Sequence, residues 1–341
     1  MQHFAPAPWV AAGVALIGAG AVAATPAVVP LPGLTATHSA TVALTADFDP
    51  LGAWQDVFAT AKDNATTLWD TMSAAPFVAG QQLIADLING TSIDPQAVLD
   101  AIVQPSMSTD LPISPLGLSN DGYHTLIALV LPQMLPSDFP IPTDQLEPIL
   151  SFAASPLSGV LIGALSPSIS PLVALGNSVN DISTALAGDN PDWTAALQDV
   201  ANMPANIVGG FLNGATVNLD ALLPLLADQL PEGITISSLS YTFGGLLSPG
   251  ETGTDVYGYV NDIFDGSSPG IGGSLLNGLG INLDLGFPLD VPGLGVGPIG
   301  AWESLQEIIA GALGWDGAGN PLDDGADSLV QLVSDIFNTS V

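Results

Sequence analysis

Three histidines, 33 Asp and Glu residues and a single cationic side chain, Lys62, are the raw material for chemistry in this 341-residue chain. Cysteine is absent, which removes thiol nucleophiles and thiolate metal sites together. Nucleophilic catalysis of the Ser-His-Asp kind needs an imidazole. His3 lies in the apolar N-terminal stretch and His38 in a Pro-rich segment, so His124 is the sole candidate. It follows Asp121-Gly122-Tyr123 and precedes an apolar run, where capping or partial burial at a helix start accounts for it. No Gly-x-Ser-x-Gly nucleophile elbow accompanies it. Without arginine there is no fork to clamp phosphate or carboxylate, and no phosphate loop of the Gly-Lys-Ser/Thr kind exists. The chain is therefore expected not to be an enzyme, and no catalytic or cofactor-binding residue is assigned.

Carboxylates could instead act as a glycosidase pair or a calcium site. The densest group runs from Asp316 through Asn320, Asp323 and Asp324 to Asp327. Its spacing is loop-like, but Ala318 stands where an EF-hand needs an acidic or amide ligand, and no Glu closes the loop. The spacing predicts a solvated turn in which Asp323 or Asp324 caps the last helix, and no metal site is assigned.

Lys62 alone cannot neutralise a phosphate backbone, so nucleic-acid binding is excluded. The formal net charge is -32, yet 48% of the residues are hydrophobic, enough to build a core. Acids without cationic partners are expected to sit in water, because burying unpaired charge is prohibitive. They either clothe the surface or line an aqueous passage; in the second case they would concentrate cations and exclude anions.

The elements that must position these groups follow from hydrophobic period and punctuation. Residues 1–24 read as an export signal: the small-residue apolar run from Trp9 ends in Ala21-Val22-Ala23, with cleavage expected near Ala23 or Ala24. Residues 25–46 form a Pro-rich linker without acids. Residues 47–213 are predicted to be helical. Asp49-Pro50 opens the first helix, with Leu51, Trp54, Phe58, Ala61, Ala65, Leu68 and Met72 recurring at three and four. The same Asx-Pro opening recurs at Asp94-Pro95 and Asn190-Pro191, while Asn89-Gly90 and Asn213-Gly214 occupy C-cap positions. From Pro148 to Asn180 no charge occurs, long enough to span a bilayer. Pro148, Pro156, Pro167 and Pro171 are expected to cut that stretch into short buried helical hairpins.

Residues 214–300 are Gly- and Pro-rich with short strands. Ile234 and Ile236, then Leu239, Tyr241 and Phe243, alternate in part; Ile281, Leu283, Leu285, Phe287, Leu289 and Val291 alternate strictly. Residues 301–341 return to helix at Trp302, Leu305, Ile309 and Leu313, and again at Leu329, Val333 and Phe337. The fold class expected is mainly α: a multi-helix body with a small β-hairpin or sheet insert, not a large β-barrel. With 38 Gly and 29 Pro, long unbroken helices are not expected.

Several segments, in order, carry a likeness. They are Asp56-Val57-Phe58-Ala59-Thr60-Ala61 with Pro76-Phe77, then Asn202-Met203-Pro204-Ala205-Asn206-Ile207-Val208 leading to Phe211-Leu212-Asn213-Gly214. Gly244-Gly245-Leu246-Leu247-Ser248-Pro249-Gly250 follows, then Val291-Pro292-Gly293-Leu294 through Gly297-Pro298-Ile299-Gly300 to Gly314-Trp315-Asp316-Gly317-Ala318-Gly319-Asn320-Pro321-Leu322. Over most of the chain this order resembles the GjpA-type outer-membrane porin family of mycolic-acid-containing actinobacteria. The resemblance implies a channel-forming protein of the outer envelope. A conventional barrel needs many alternating strands, aromatic girdles and few prolines. Conduction is therefore expected from a homo-oligomer of helical subunits among envelope lipids, with cations as the favoured solutes. The alternative is a soluble, acidic surface or wall-associated interaction protein without channel activity.

Overall fold

The computed structural model describes residue 49 and residues 51–103, 142–227, 230, 233–251, 271–284, 288–317 and 319–322. The signal-like segment, the linker, His38, His124 and the helix expected near Leu329, Val333 and Phe337 lie outside the described residues. Within them the fold is mainly α with a small four-stranded antiparallel sheet that is not a barrel.

Helix α1 (Gly52–Ala74) is followed by α2 (Val78–Asn89) and α3 (Pro95–Val103). The Asp49 carboxylate caps α1 by accepting from the backbone N–H groups of Leu51 and Gly52 at 3.0 and 2.9 Å. The helix proper thus starts at Gly52, two residues after the proline expected to open it. Asp94 caps α3 in the same way, accepting from Gln96 N at 2.9 Å. Gly90 closes α2 in the left-handed region at φ 67°, its N–H donating to the Asp86 carbonyl.

Helices α4 (Thr143–Ala153), α5 (Pro156–Ala185) and α6 (Trp193–Asn213) come next. Here the expectation of short pieces fails. Pro148 sits inside α4, Pro156 is the first residue of α5 behind the Ser155 cap, and α5 runs unbroken for 30 residues through Pro167 and Pro171. Each internal proline removes a donor and leaves the carbonyl four residues earlier without its intrahelical bond. Tertiary packing offsets that loss, because α5 is the hub of the molecule, lying against α6, the last helix and the sheet. Asn190-Pro191 does not open α6 either. The cap is Asp192, which accepts from Ala195 N at 2.9 Å. Asp192→Ala is expected to cost about 1 kcal/mol, read as a lower unfolding midpoint with an unchanged helical spectrum.

Strand β1 (Ala215–Asn218) leaves Gly214, and after a short helix α7 (Leu223–Ala227) the chain enters β2 (Thr235–Phe243), β3 (Leu279–Asp284) and β4 (Pro288–Val291). The order β1-β2-β3-β4 is antiparallel throughout. In β2 the apolar parity slips between Ile236 and Leu239, and the register to β3 shifts between Ile236 and Ser238. A bulge moves the later side chains to the other parity while the same face stays covered. The strictly alternating run from Ile281 to Val291 is not one strand but two, with Ile281 opposite Val291 and Leu283 opposite Leu289. An odd number of residues between the paired ends Asp284 and Pro288 preserves parity, so the alternation continues across the reversal.

Helix α8 (Pro298–Leu313) then packs on α5, α2 and α3. The joint between α5 and the chain around α8 is made of glycine. A Cβ on Gly159 would collide with the Gly273 carbonyl, one on Gly297 with the Gly245 carbonyl, and one on Gly163 would lie 3.0 Å from the Gly297 oxygen. Ser170 completes the joint, its hydroxyl donating to the carbonyls of Phe243 and Gly244 at 3.1 and 2.9 Å.

Candidate functional site

Helices α5 and α6 form an antiparallel hairpin. A Cβ on Gly210 would lie 2.7 Å from the Ser170 carbonyl and 3.1 Å from the Ala174 Cβ. Further along, Asn206 Nδ2 donates to Ser178 Oγ at 3.1 Å. Between them the turn carries Asp189 and Asp192. Several large apolar side chains of this hairpin lie outward, while most of its buried positions are small. In α5 the buried side is Ser158, Gly159, Ile162, Gly163, Ser166 and Ser170, continuing to Ala174 and Ser178. The outward side carries Leu161, Leu165 and Leu172, exposed by 51%, 59% and 67%. At 3.6 residues per turn those three leucines fall within about 40° of arc. In α6, Trp193, Leu197, Val200, Pro204 and Phe211 are all exposed and fall within about 60°. Their inward side offers Ala196, Ala205, Gly209 and Gly210.

Amides fill the spaces between helices. Gln198 bonds residue 49 twice, donating to the Asp49 carbonyl at 2.8 Å and accepting from its N–H at 3.1 Å. Asn213 Nδ2 donates to the Val57 carbonyl at 2.9 Å, and its oxygen accepts from Asn64 at 3.4 Å. Asn177 Nδ2 donates to the Thr216 carbonyl at 2.9 Å. These bonds edge an open cleft of about 390 Å³ between α1, α5, α6 and β1, whose polar lining includes Asp56, Thr60, Asn177, Asn206, Asn213 and Thr216.

The expectation that acids stay in water is corrected in α2 and α8. Asp86 is only 4% exposed and Glu303 3%. Asp86 Oδ1 accepts from Gln82 at 3.0 Å, while Oδ2 has no partner among the described residues. Glu307, one turn beyond Glu303, is partly buried. Burial, and then the neighbouring Glu303 charge, pushes its carboxyl up to about 7, and burial raises Glu303 in the same direction. At Glu307 the cost of burying charge is thus eased by holding the proton to higher pH, not by a cationic partner. The elements packed on α8 carry Asp86 on α2, Asp100 on α3, Asp181 on α5, and Asp56, Lys62, Asp63 and Asp70 on α1.

Of the residues singled out in the sequence, Asp316 and Asn320 are described, and Asp323, Asp324 and Asp327 are not. The described part of that loop is tied into a turn. Trp315 Nε1 donates to the Gly319 carbonyl at 3.2 Å, and Asn320 Oδ1 accepts from Gln81 at 3.2 Å. Among the described residues no group of three His, Asp or Glu side chains is placed to hold a metal. Sequence reasoning missed the pair Glu303 and Glu307, although their i, i+4 spacing within a helical stretch was a visible signal. It also missed the cleft, which is assembled from helices and a strand far apart in the chain. Comparison with protein-family models, curated proteins and solved structures finds no match to this chain.

Proposed function

We propose that this is an exported protein of the outer cell envelope whose α5–α6 hairpin faces lipid and whose copies assemble a passive, cation-favouring path for ions or small solutes. One observation carries the proposal: large apolar side chains outside and mostly Gly, Ser and Ala inside, over two adjoining helices. Small residues at helix contacts and amide or hydroxyl bonds between helices are the habits of helices packed in lipid. Helix α5 is long and apolar enough to cross a membrane by length and composition. Its charge-free part, residues 156–180, would extend about 37 Å at about 1.5 Å per residue, against a hydrocarbon core of about 30 Å. Trp193 stands beside the acidic turn, where a membrane-water interface favours tryptophan. The resemblance to the porin family points the same way. A path through the assembly draws its walls from acids, amides and hydroxyls, because Lys62 is the only cationic side chain.

Flotation with vesicles tests the lipid contact. The wild-type protein should float with the vesicles and resist buffer extraction, whereas Leu165→Asp and Leu172→Asp, at exposed positions that leave packing intact, should stay in the aqueous fraction. Purified protein in planar bilayers should show cation-selective zero-current potentials, more strongly at low salt. Equal buffer solubility of wild type and variants, with no conductance, would instead mark a soluble acidic surface protein.

A further inference from the structure

The polar cleft between α1, α5, α6 and β1 has a chemistry of its own. Asn177 and Asn206 each commit the amide nitrogen to the fold, to the Thr216 carbonyl and to Ser178 Oγ, and neither Oδ1 bonds a described residue. The Asp56 carboxylate and the Thr60 hydroxyl, one helical turn apart on α1, are likewise exposed and without a protein partner among the described residues. Asn213 and Thr216 are already occupied, the first by Val57 and Asn64, the second by Asn177 and Thr242. The cleft therefore presents one carboxylate and three neutral oxygens, and Lys62 is not in its lining. Hard oxygen donors around a single formal negative charge suit a hard cation. A sugar would want donors from the protein and an aromatic platform, and the described residues of the lining supply no ring.

We propose that this cleft is a low-affinity binding station for a hydrated divalent cation, held by Asp56, Thr60 and the side-chain oxygens of Asn177 and Asn206. As a stop on a transport path it rests on the cation-favouring function proposed above; as a binding site it stands on the cleft alone. One carboxylate places it in the weak class of calcium sites, with dissociation constants on the order of a millimolar, which a station must be if ions are to leave it.

Paramagnetic broadening by Mn²⁺ locates binding among many surface acids. In the ¹⁵N-labelled full chain, in buffer or micelles, the side-chain amides of Asn177 and Asn206 should broaden at Mn²⁺ levels that leave Gln96 sharp. Gln96 sits between the exposed Asp94 and the half-buried Asp100 and reports diffuse attraction. Ca²⁺ should reverse the broadening. Asp56→Asn should weaken it about tenfold and Thr60→Asp should strengthen it, since ligand charge sets affinity in oxygen sites; both positions are exposed, so folding is preserved. Equal broadening at Gln96 and Asn206, indifference to Asp56→Asn, or failure of Ca²⁺ to compete would each overturn the site. Vesicle flotation is scored separately: cation binding without flotation keeps the site and removes the path, and flotation without cation binding does the reverse.

Discussion

Gly159→Ala should destabilise the protein by about 3 kcal/mol or more, while Gly176→Ala in the same helix should stabilise it by about 0.5–1 kcal/mol. Both glycines lie inside α5 with ordinary helical backbone, and both substitutions add one methyl group and the same helix propensity. They differ in what the methyl meets. At Gly159 it collides with the Gly273 carbonyl, also crowding the Ser274 Cα; at Gly176 nothing lies within 4 Å. The obstacle at Gly159 is backbone, which has no flexible end to swing aside, so α5 or the segment through Gly272 and Gly273 must move. That motion would part the Ser158 hydroxyl from the Leu275 N–H it meets at 2.9 Å and open the small cluster of Ile162, Val296 and Ala301. Chemical unfolding of the two variants, followed by circular dichroism in one buffer or detergent, gives opposite shifts of the midpoint. Equal, small shifts would mean that the glycine joint is loose.

The joint also gives physical content to the glycine-rich segments at residues 244–250 and 293–300. Gly244-Gly245 and Gly297 are where backbone meets backbone: Gly245 packs against Leu212, Asn213 and Gly214, and Gly244 against Val296 and Gly297. Ser248 closes the same knot, accepting from the Gly245 N–H at 2.7 Å and donating to the Asn213 carbonyl at 2.8 Å. A glycine cluster of this sort is visible in a sequence as punctuation. What the punctuation serves, a close crossing of two backbones, appears only when the partners are known.

Local grammar was legible elsewhere for similar reasons. The Asp49 and Asp94 caps and the Gly90 stop depend on neighbours within four residues, and so does the parity slip in β2. Long-range matters were not. Pro167 and Pro171 look like breaks because their cost is local, whereas the packing that offsets it comes from α6, α8 and the sheet. Periodicity marks the last described helix but leaves open which of its faces is buried. The apolar stripe Trp302, Leu305, Ile309 in α8 does recur at three and four, yet Trp302 is exposed and Gly300, Glu303 and Ser304 face inward. A hydrophobic stripe marks one face of a helix; which face meets protein and which meets another apolar phase depends on the surroundings.

That inward sense of α8 leads to a pH dependence with a defined sign. Glu307 titrates at about 7 in the folded protein, against an ordinary value of 4.5. A carboxyl raised on folding binds its proton more tightly when folded, so its contribution is fully present below about 4.5. It fades as pH rises and is lost above about 7. Between those limits the folded state should lose about 3 kcal/mol relative to the unfolded one, at about 1.4 kcal/mol per pH unit of displacement. Glu303, raised by burial, adds to the loss with the same sign. General repulsion among 33 acids also grows over this range, so the wild-type slope alone does not isolate the pair. Glu307→Gln does. The amide keeps the size of the neutral acid and cannot ionise, hence the variant should match wild type near pH 4.5, exceed it in stability at pH 8, and show a visibly flatter profile between. Unfolding midpoints measured at half-unit steps from pH 4.5 to 8 read the difference directly. Parallel wild-type and Glu307→Gln profiles would place Glu307 in water and α8 with its acidic face outward, contrary to the packing of Glu303 at 3% exposure one turn before it.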